Sequence, residues 1–438
     1  MNREILRLAL PSILANITVS LVGIADLAIA GHLETDAAML IGGVAVGTML
    51  FDLLYWNFLF LREGTGGFTS QAFGRQDWAD CRRILLHYVL LALISGAGLL
   101  AIQWPFAKLA LNLVGSSEAV KEMALEYFFI RIWAAPASLC LFAIKGWFIG
   151  MQDSFSSMST DLVVNGVNVA ASILLAREIG FAGIPLGTVI AQYTGLAFSA
   201  AIISLKYRKV VLDGLSAADL KEALDMKKFR RASKMNADLI IRGFGMLGIY
   251  IGFTVISAKC GDTLLAVCSI MMKMMLLFSY FTDGFAYAGE ALTGRFIGMQ
   301  DRRNLFRAVR LTFAWSMGIG LFFVALYAFA GVPLFALMTE DTAVVSAARP
   351  FIWWMCIIPV LGCPAFTWDG IYIGATSSKA LRDATILAVI SFFGVWGICS
   401  RAGIDPVDSL MAGYFAHLAA RTMYQTAKSR KLFKSVII

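Results

Sequence analysis

The stretch from Leu8 to Gly31, LALPSILANITVSLVGIADLAIAG, decides the fold class of this chain. It is apolar along nearly its whole length, and roughly 20 apolar residues are enough for a helix to cross a bilayer. Asp26 lies near its far end. A carboxylate inside a span costs about 2.5 to 3.5 kcal/mol on insertion scales, so it usually faces a bundle interior or a watery cavity, where it can take up a proton. We interpret the stretch as a transmembrane helix and Asp26 as a candidate proton carrier. The alternative is an acid at the water interface without a role.

The composition of the whole chain is that of a polytopic membrane protein. Of its 438 residues, 59% are hydrophobic and 15% are charged, and the mean hydropathy is +0.75. Soluble proteins are about 45 to 50% apolar and about 25% charged. The seven cysteines and three histidines show no metal-ligand spacing, and neither GxxxxGK[ST] nor GxSxG occurs. We therefore expect no metal site, no cofactor and no enzymatic activity.

Hydropathy predicts an all-α protein with twelve transmembrane helices. The loops between the spans alternate between basic and acidic or neutral ones. Because Lys and Arg stay on the cytoplasmic side, both termini are predicted to be cytoplasmic. The basic residues are spread over several short loops, which argues against a nucleic-acid partner. The predicted spans are 8–31, 38–61, 84–104, 125–150, 157–176, 183–205, 236–258, 263–288, 308–332, 350–375, 383–400 and 407–427.

Two motifs recur at an offset of 224 residues. The sequence GRQD at 74–77 matches GMQD at 298–301, and KGWFIG at 145–150 matches DGIYIG at 369–374. The offset predicts two pseudo-symmetric six-helix lobes in the same orientation, a parallel repeat that is typical of transporters, with a substrate cavity between or within the lobes. The predicted N-lobe is 1–205 and the C-lobe, with a basic tail, is 234–438. Between them, 206–233 forms a basic cytoplasmic linker with a short amphipathic helix, capped by Ser216 with Asp219 three residues on.

Polar residues follow one face of the fifth span at spacings of 4, 3 and 4: Asp161, Asn165, Asn168 and Ser172. A looser polar line in the first span includes Asn16, Ser20 and Asp26. We expect the two lines to face each other and to contribute to the substrate cavity. The alternative is ordinary hydrogen bonding between helices.

Charged residues within other spans are further cavity candidates. Lys145 needs a partner, for which Asp161, Asp26 and Asp52 are the candidates, unless its ammonium group extends to the interface. In the eighth span, Asp283, Tyr287 and Glu290 share one face, and Asp369 lies in the tenth span. For these second-lobe acids the alternative is a structural pair near a helix end.

Several stretches together resemble the multidrug and toxic compound extrusion family, and most of all its DinF-like branch. The matching stretches are ADLAIAGHL at 25–33, GGVAVG at 42–47, FLFLR at 58–62, TSQAFG at 69–74, WAAPAS at 133–138, DGFAYAGEA at 283–291 and WDGIYIGAT at 368–376. The resemblance implies twelve helices in two lobes. It also implies export of diverse, often cationic and amphipathic, organic compounds in exchange for protons or sodium.

The resemblance also assigns roles to individual residues. Asp26 matches the family's proton or cation site, and Pro11 matches a first-helix proline at which the helix is proposed to bend after protonation. Asn168 and Thr188 match polar positions of the family's cation site, so a Na⁺ ion at Asp26, Asn168 and Thr188 is possible. Ser172 replaces an acid of that site, which favours protons as the coupling ion.

The function that we expect is therefore a secondary active multidrug exporter. We expect a monomer in the bacterial cytoplasmic (inner) membrane, with organic small molecules and the lipid bilayer as its partners. A lipid-linked-oligosaccharide flippase of the same superfamily is the nearest alternative, but it would favour more basic cavity residues. A non-transporting receptor or membrane-embedded enzyme is the alternative from another class, and no catalytic set supports it.

Overall fold

The computed structural model of the protein describes residues 1–33, 36–112, 117–225, 230–339 and 341–436. These residues form α-helices with three short 3₁₀ turns, and no strand occurs among them. The helices are α1 (Asn2–Gly31), α2 (Ala37–Trp56), α3 (Phe60–Gly74), α4 (Trp78–Asn112), α5 (Glu118–Arg131), α6 (Ala135–Gly150), α7 (Ser154–Ile179), α8 (Gly183–Lys206), α9 (Arg208–Val211), α10 (Ala217–Leu224), α11 (Arg230–Ala258), α12 (Asp262–Gly298), α13 (Arg302–Met338), α14 (Thr342–Ala348), α15 (Ile352–Gly374), α16 (Ser378–Arg401) and α17 (Pro406–Val436).

Ten stretches of the described chain are long and apolar enough to cross a membrane. One of them, Ser154–Lys206, contains both α7 and α8. The predicted span 407–427 lies in α17, which is not among the ten. Its polar residues His417, Arg421 and Gln425 lower its hydropathy, yet all three are buried within the protein.

Two predicted spans are interrupted in the structure. The span predicted at 38–61 is divided, because α2 ends at Trp56 and α3 begins at Phe60. The span predicted at 125–150 is divided by the 3₁₀ turn Ile132–Ala134, and Pro136 lies in the first turn of the helix that follows. Proline has no backbone N–H to donate, so it is tolerated where a helix starts and disfavoured inside one.

The described chain divides into two compact units, Leu14–Ser233 and Met1–Ile13 together with Lys234–Ile438. In the first unit α3, α4 and α6 pack against one another, α2 packs on α5, and α7 packs along α8. In the second unit α12, α13 and α15 pack against one another, and α16 packs along α17. The division falls inside α1, whereas the predicted N-lobe began at residue 1. The predicted lobe and linker boundaries themselves stay a prediction.

The backbone repeats several local features at the offset seen in the sequence. Four helices, α3, α6, α12 and α15, end at Gly74, Gly150, Gly298 and Gly374. Two residues beyond each glycine, the backbone turns left-handed, at Gln76, Gln152, Gln300 and Thr376. Positions 76 and 300 differ by 224, as do positions 152 and 376. In each case the next backbone N–H bonds the carbonyl five residues earlier, which closes the helix end.

The same offset relates two close helix contacts. A Cβ atom added at Gly146 would clash with the carbonyl oxygen of Arg62, so α6 approaches the backbone of α3 closely. A Cβ atom added at Gly370 would clash with the carbonyl oxygen of Ala286 in the same way, between α15 and α12. Both glycines lie in the matched motifs and let two helix backbones approach, as small residues do in membrane bundles.

The linker contains the predicted capped helix, which is α10. The Ser216 hydroxyl accepts from the backbone N–H of Asp219 at 3.2 Å, and the Asp219 carboxylate accepts from the N–H of Ser216 at 3.1 Å. The helix docks on α4: Asp219 also accepts from Arg82 at 3.1 Å and from Arg83 at 3.2 Å. Glu222 forms an ion pair with Arg83 at 3.0 Å. The acidic face of α10 therefore neutralises the basic start of α4.

We expect the docking of α10 to weaken as the pH is lowered from about 4 towards about 2. Hydrogen bonds from Ser216 and Arg83, with the charge of Arg82, lower the pKa of Asp219 to about 2. Because this folded-state pKa lies below the ordinary value of about 3.9, the stabilisation is complete above that value and is lost as Asp219 takes up a proton. Hydrogen exchange of the α10 amides, corrected for intrinsic rates, measures the change. An Asp219→Asn variant with the same acid-dependent change would contradict this assignment, and exposed Asp213→Asn is the control.

Candidate functional site

Three of the predicted polar residues on α7 bind neighbouring helices of the first unit. Asn165 donates to the hydroxyl of Thr18 on α1 at 2.9 Å, and Asn168 donates to the hydroxyl of Thr188 on α8 at 2.9 Å. Ser172 donates to the carbonyl oxygen of Ile184 at 3.2 Å. Asn168 and Ser172 are buried. The bond from Asn165 to Thr18 thus connects α7 to α1, and the facing of the two predicted polar lines stays a prediction.

Asp26 is buried in the first unit, with 6% of its surface exposed. Among the described residues no hydrogen-bond partner lies within reach of its Oδ1 atom. The carboxylate interacts electrostatically with Arg131 on α5. The guanidinium of Arg131 is itself held by the Tyr127 hydroxyl at 2.9 Å and by the ring of Phe51, 4.8 Å from its centroid. A buried carboxylate is chemically suited to bind and release a proton when it lies near a cation and one of its oxygens has no hydrogen-bond partner.

Asn168 also has a side-chain oxygen without a hydrogen-bond partner among the described residues. Its amide nitrogen is used by Thr188, and within the described part of the chain its Oδ1 atom has no hydrogen-bond partner. Carboxylate and amide oxygens are the ligands that hard cations prefer. Ser172, however, contributes no charge at the position where the family resemblance implies an acid. The chemistry of the donors therefore permits a weakly charged cation site.

Lys145 forms an ion pair with Asp161. Its Nζ atom lies 2.8 Å from Asp161 Oδ1, and the two side chains are 21% and 15% exposed. Of the three candidate acids, Asp161 is therefore the partner of Lys145. The alternative, in which the ammonium group extends to the membrane interface without a partner, is not observed. The pair joins α6 to α7, so the first residue of the polar line on α7 serves an interhelical contact.

We expect the Lys145 and Asp161 changes to compensate each other. Lys145→Met and Asp161→Asn each leave one ion without its partner, so the double variant should lose less free energy of unfolding than the sum of the single losses, with a coupling of about 0.5 to 3 kcal/mol. Denaturant titration in detergent measures the coupling. The exposed pair Lys121 and Glu118 is the matched control, for which we expect about 0.2 to 1 kcal/mol. Additive losses at Lys145 and Asp161 would argue against the pair.

In the second unit, Asp369 is enclosed by donors. Its carboxylate accepts from Arg242 on α11 at 2.8 Å, from Gln425 on α17 at 2.7 Å, and from Arg421 on α17. Arg421 is 1% exposed. The three partners were not identified from the sequence, although Arg242 and Arg421 lie within predicted spans, where an isolated charge signals a buried partner. The carboxylate ties three helices together.

A second ion pair of this unit was also missed. Asp238, inside the predicted seventh span, is buried and forms an ion pair with Arg382 at 2.7 Å, while it accepts from Ser378 at 2.8 Å.

Asp283 and Tyr287 on α12 are half-buried and Glu290 is fully buried. Their predicted roles stay a prediction, as does the bend at Pro11, a residue that lies inside the continuous α1.

The repeat places opposite charges at equivalent positions. Lys145 and Asp369 are 224 residues apart, at the first position of the matched motifs. Each is ion-paired inside its own unit. The two halves thus share a backbone pattern but carry different electrostatics at these positions.

Comparison with known proteins gives a consistent result. The MatE family model matches residues 11–174 and 239–396. The DNA damage-inducible protein F of Escherichia coli (strain K12) is 35% identical over 394 residues, which cover 89% of this chain and 84% of that protein. A probable multidrug resistance protein NorM of Photorhabdus laumondii is 22% identical, over 90% and 85% of the two chains.

Solved structures share the fold. The chain superposes on a Vibrio cholerae MATE transporter, VcmN in the bent form, with a TM-score of 0.85 at 14% identity, over 99% of this chain and 97% of that one. A crystal structure of MATE in the bent conformation gives 0.82 at 18% identity, over the same shares. Members of this family are transporters and not enzymes. The chain is therefore a multi-pass membrane protein that belongs to the MatE family, the multidrug and toxic compound extrusion transporters, with DinF of Escherichia coli among its relatives.

Proposed function

We propose that the protein is a secondary active exporter that moves organic, often cationic and amphipathic, compounds out of the cell in exchange for protons. The observation that carries the proposal is the buried Asp26 carboxylate, whose Oδ1 atom has no hydrogen-bond partner among the described residues. A proton taken up there removes a buried charge, which changes the pocket that a cationic substrate meets. Substrate and proton then compete for one region, as antiport requires.

The topology that we propose for this exporter has twelve transmembrane helices in two parallel six-helix lobes. The local features that recur at an offset of 224 support the repeat. Basic loops support cytoplasmic termini, because Lys and Arg are retained on that side. We propose a monomer in the bacterial inner membrane, in keeping with its similarity to DinF of Escherichia coli.

Sodium is the second candidate coupling ion. The Oδ1 atoms of Asp26 and Asn168 and the hydroxyl of Thr188 could supply oxygen ligands. The protein would then bind the ion with one carboxylate only, because Ser172 replaces the second acid. Ser172 therefore supports protons over sodium.

Proteoliposomes test both candidates. Uptake of a fluorescent organic cation is followed under an imposed proton gradient and, separately, under an imposed sodium gradient at equal pH. We expect uptake with the proton gradient alone, and its loss when a protonophore is added. Uptake driven by the sodium gradient alone would identify sodium, and not the proton, as the coupling ion. Movement under neither gradient would overturn the exporter proposal and direct the search to lipid-linked substrates.

A further inference from the structure

A dense group of cations lies where α13 begins and α17 ends. We call it the basic surface; it comprises Arg302, Arg303, Arg307, Arg310, Lys428, Arg430, Lys431 and Lys434. All eight side chains are exposed. On α13, Arg303, Arg307 and Arg310 follow spacings of 4 and 3, so they share one helix face. The surface is therefore an ordered array on two helices.

Ring contacts bring the two helix ends together. The Phe306 ring on α13 lies 4.9 Å from the Phe433 ring on α17, between centroids, and Phe433 also contacts Trp368 at 6.5 Å. Phe306 remains 41% exposed. The basic surface thus includes an exposed aromatic ring at the start of α13, a helix that is long and apolar enough to cross a membrane.

The cations of this surface form no ion pair with a carboxylate of the described residues. Arg302 lies over the Phe306 ring at 5.8 Å, and Lys428 over the Tyr424 ring at 5.4 Å. The neighbouring acid, Asp301, caps α13: its carboxylate accepts from the backbone and side chain of Asn304 at 3.0 and 2.6 Å, and it also interacts electrostatically with Arg303. Asp301 supplies one negative charge against eight positive ones in the described part of the chain, so the surface keeps a strong positive charge.

The start of α4 in the first half is equivalent to the start of α13, and its arginines have anionic partners. Arg307 lies 224 residues after Arg83. Arg83 and its neighbour Arg82 are covered by Asp219, and Arg83 also by Glu222, both on α10. In the first half the chain thus supplies anionic groups to the start of α4. At the start of α13, the described part of the chain supplies no such cover.

We propose that the basic surface binds the phosphate headgroups of anionic phospholipids, which take the place that the carboxylates of α10 fill in the first half. Clusters of four to eight Lys and Arg beside a transmembrane helix are typical of sites for anionic lipids. The exposed Phe306 ring favours a membrane over a nucleic acid, because an apolar ring at a helix end can insert among acyl chains. The proposal does not depend on which substrate or ion the protein transports.

Native mass spectrometry of the purified protein, with phosphatidylglycerol or phosphatidylcholine added, tests the site. We expect preferential retention of phosphatidylglycerol. An Arg303→Gln, Arg307→Gln, Arg310→Gln variant should bind it about a hundredfold more weakly, since each cation near an anionic surface contributes about 1 kcal/mol. Added salt should weaken binding to the native protein, because these charges are exposed. A Lys428→Gln, Lys431→Gln, Lys434→Gln variant repeats the test on the other helix.

The matched control is Lys209→Gln, Lys221→Gln, Arg230→Gln, which removes the same charge from exposed positions of the linker. It should retain phosphatidylglycerol as the native protein does. Equal retention of the two lipids by the native protein, or equal losses in control and test variants, would overturn the proposal. A short RNA that binds the surface while phosphatidylglycerol does not would assign it to nucleic acid instead.

Discussion

An Asp26→Asn variant should lose proton-driven transport completely, so that uptake of the organic cation falls to the level of empty vesicles. Asparagine has nearly the same shape as aspartate, but it neither ionises nor takes up a proton. Asp26 is buried beside α5, where Arg131 supplies the opposing charge. The variant should still fold, because within the described chain the Oδ1 atom of Asp26 has no hydrogen bond to lose. Transport under a proton gradient is the measurement.

A binding measurement distinguishes an Asp26→Asn variant that has lost its proton site from one that has failed to fold. We expect Asp26→Asn to bind the organic cation with an affinity that no longer varies with pH, as followed by fluorescence anisotropy. Asp36→Asn is the matched control, because Asp36 is exposed and its side chain forms no cap bond to α2. Proton-driven uptake in Asp26→Asn equal to that of the native protein would remove Asp26 from the mechanism.

An Asp369→Asn variant should lose about 3 to 5 kcal/mol of the free energy of unfolding, the usual result of removing one partner from a buried ion pair. The carboxylate accepts hydrogen bonds from Arg242, Arg421 and Gln425. Asparagine leaves the two guanidinium groups without their shared anion in a site that water reaches poorly. Denaturant titration in detergent, followed by tryptophan fluorescence, measures the loss.

Two further variants test this explanation. Adding Arg421→Gln to Asp369→Asn should recover part of the loss, because one of the two unpaired cations is removed with the acid. Asp408→Asn is the control on the same pair of helices: Asp408 accepts one bond, from Trp354 at 2.9 Å. The asparagine oxygen can still accept this bond, so the expected cost is about 1 kcal/mol. A loss at Asp369 no larger than at Asp408 would show that the carboxylate is not the centre of a buried ionic cluster.

The two halves of the repeat carry opposite charges at one pair of equivalent positions. Asp369 stands where the first half has Lys145, and each residue is neutralised inside its own unit. Within the described structure, Asp26 on α1 has an Oδ1 atom without a hydrogen-bond partner, whereas Asp369 on α15 is held by three donors. These contacts place an ion pair at this position in the first half and an ionic cluster at the equivalent position in the second.

The sequence by itself determined the class of the protein, most of its helices and its family resemblance. Long apolar stretches report membrane helices directly, because the cost of exposing polar groups to lipid applies to every residue of a span. Ser216 with Asp219 marked the start of α10, since a capping signal acts within one turn of the chain. The polar face of α7 followed from spacing alone.

Only the tertiary structure decided which charges meet. The sequence left Lys145 with three candidate acids, and it gave no sign that Asp369 meets Arg242 and Arg421, which are 127 and 52 residues away along the chain. Nor did it show that α10 lies on α4 while the start of α13 stays uncovered. Ion pairs between helices depend on how those helices pack, and packing is set by many weak contacts distributed over the chain rather than by any local motif.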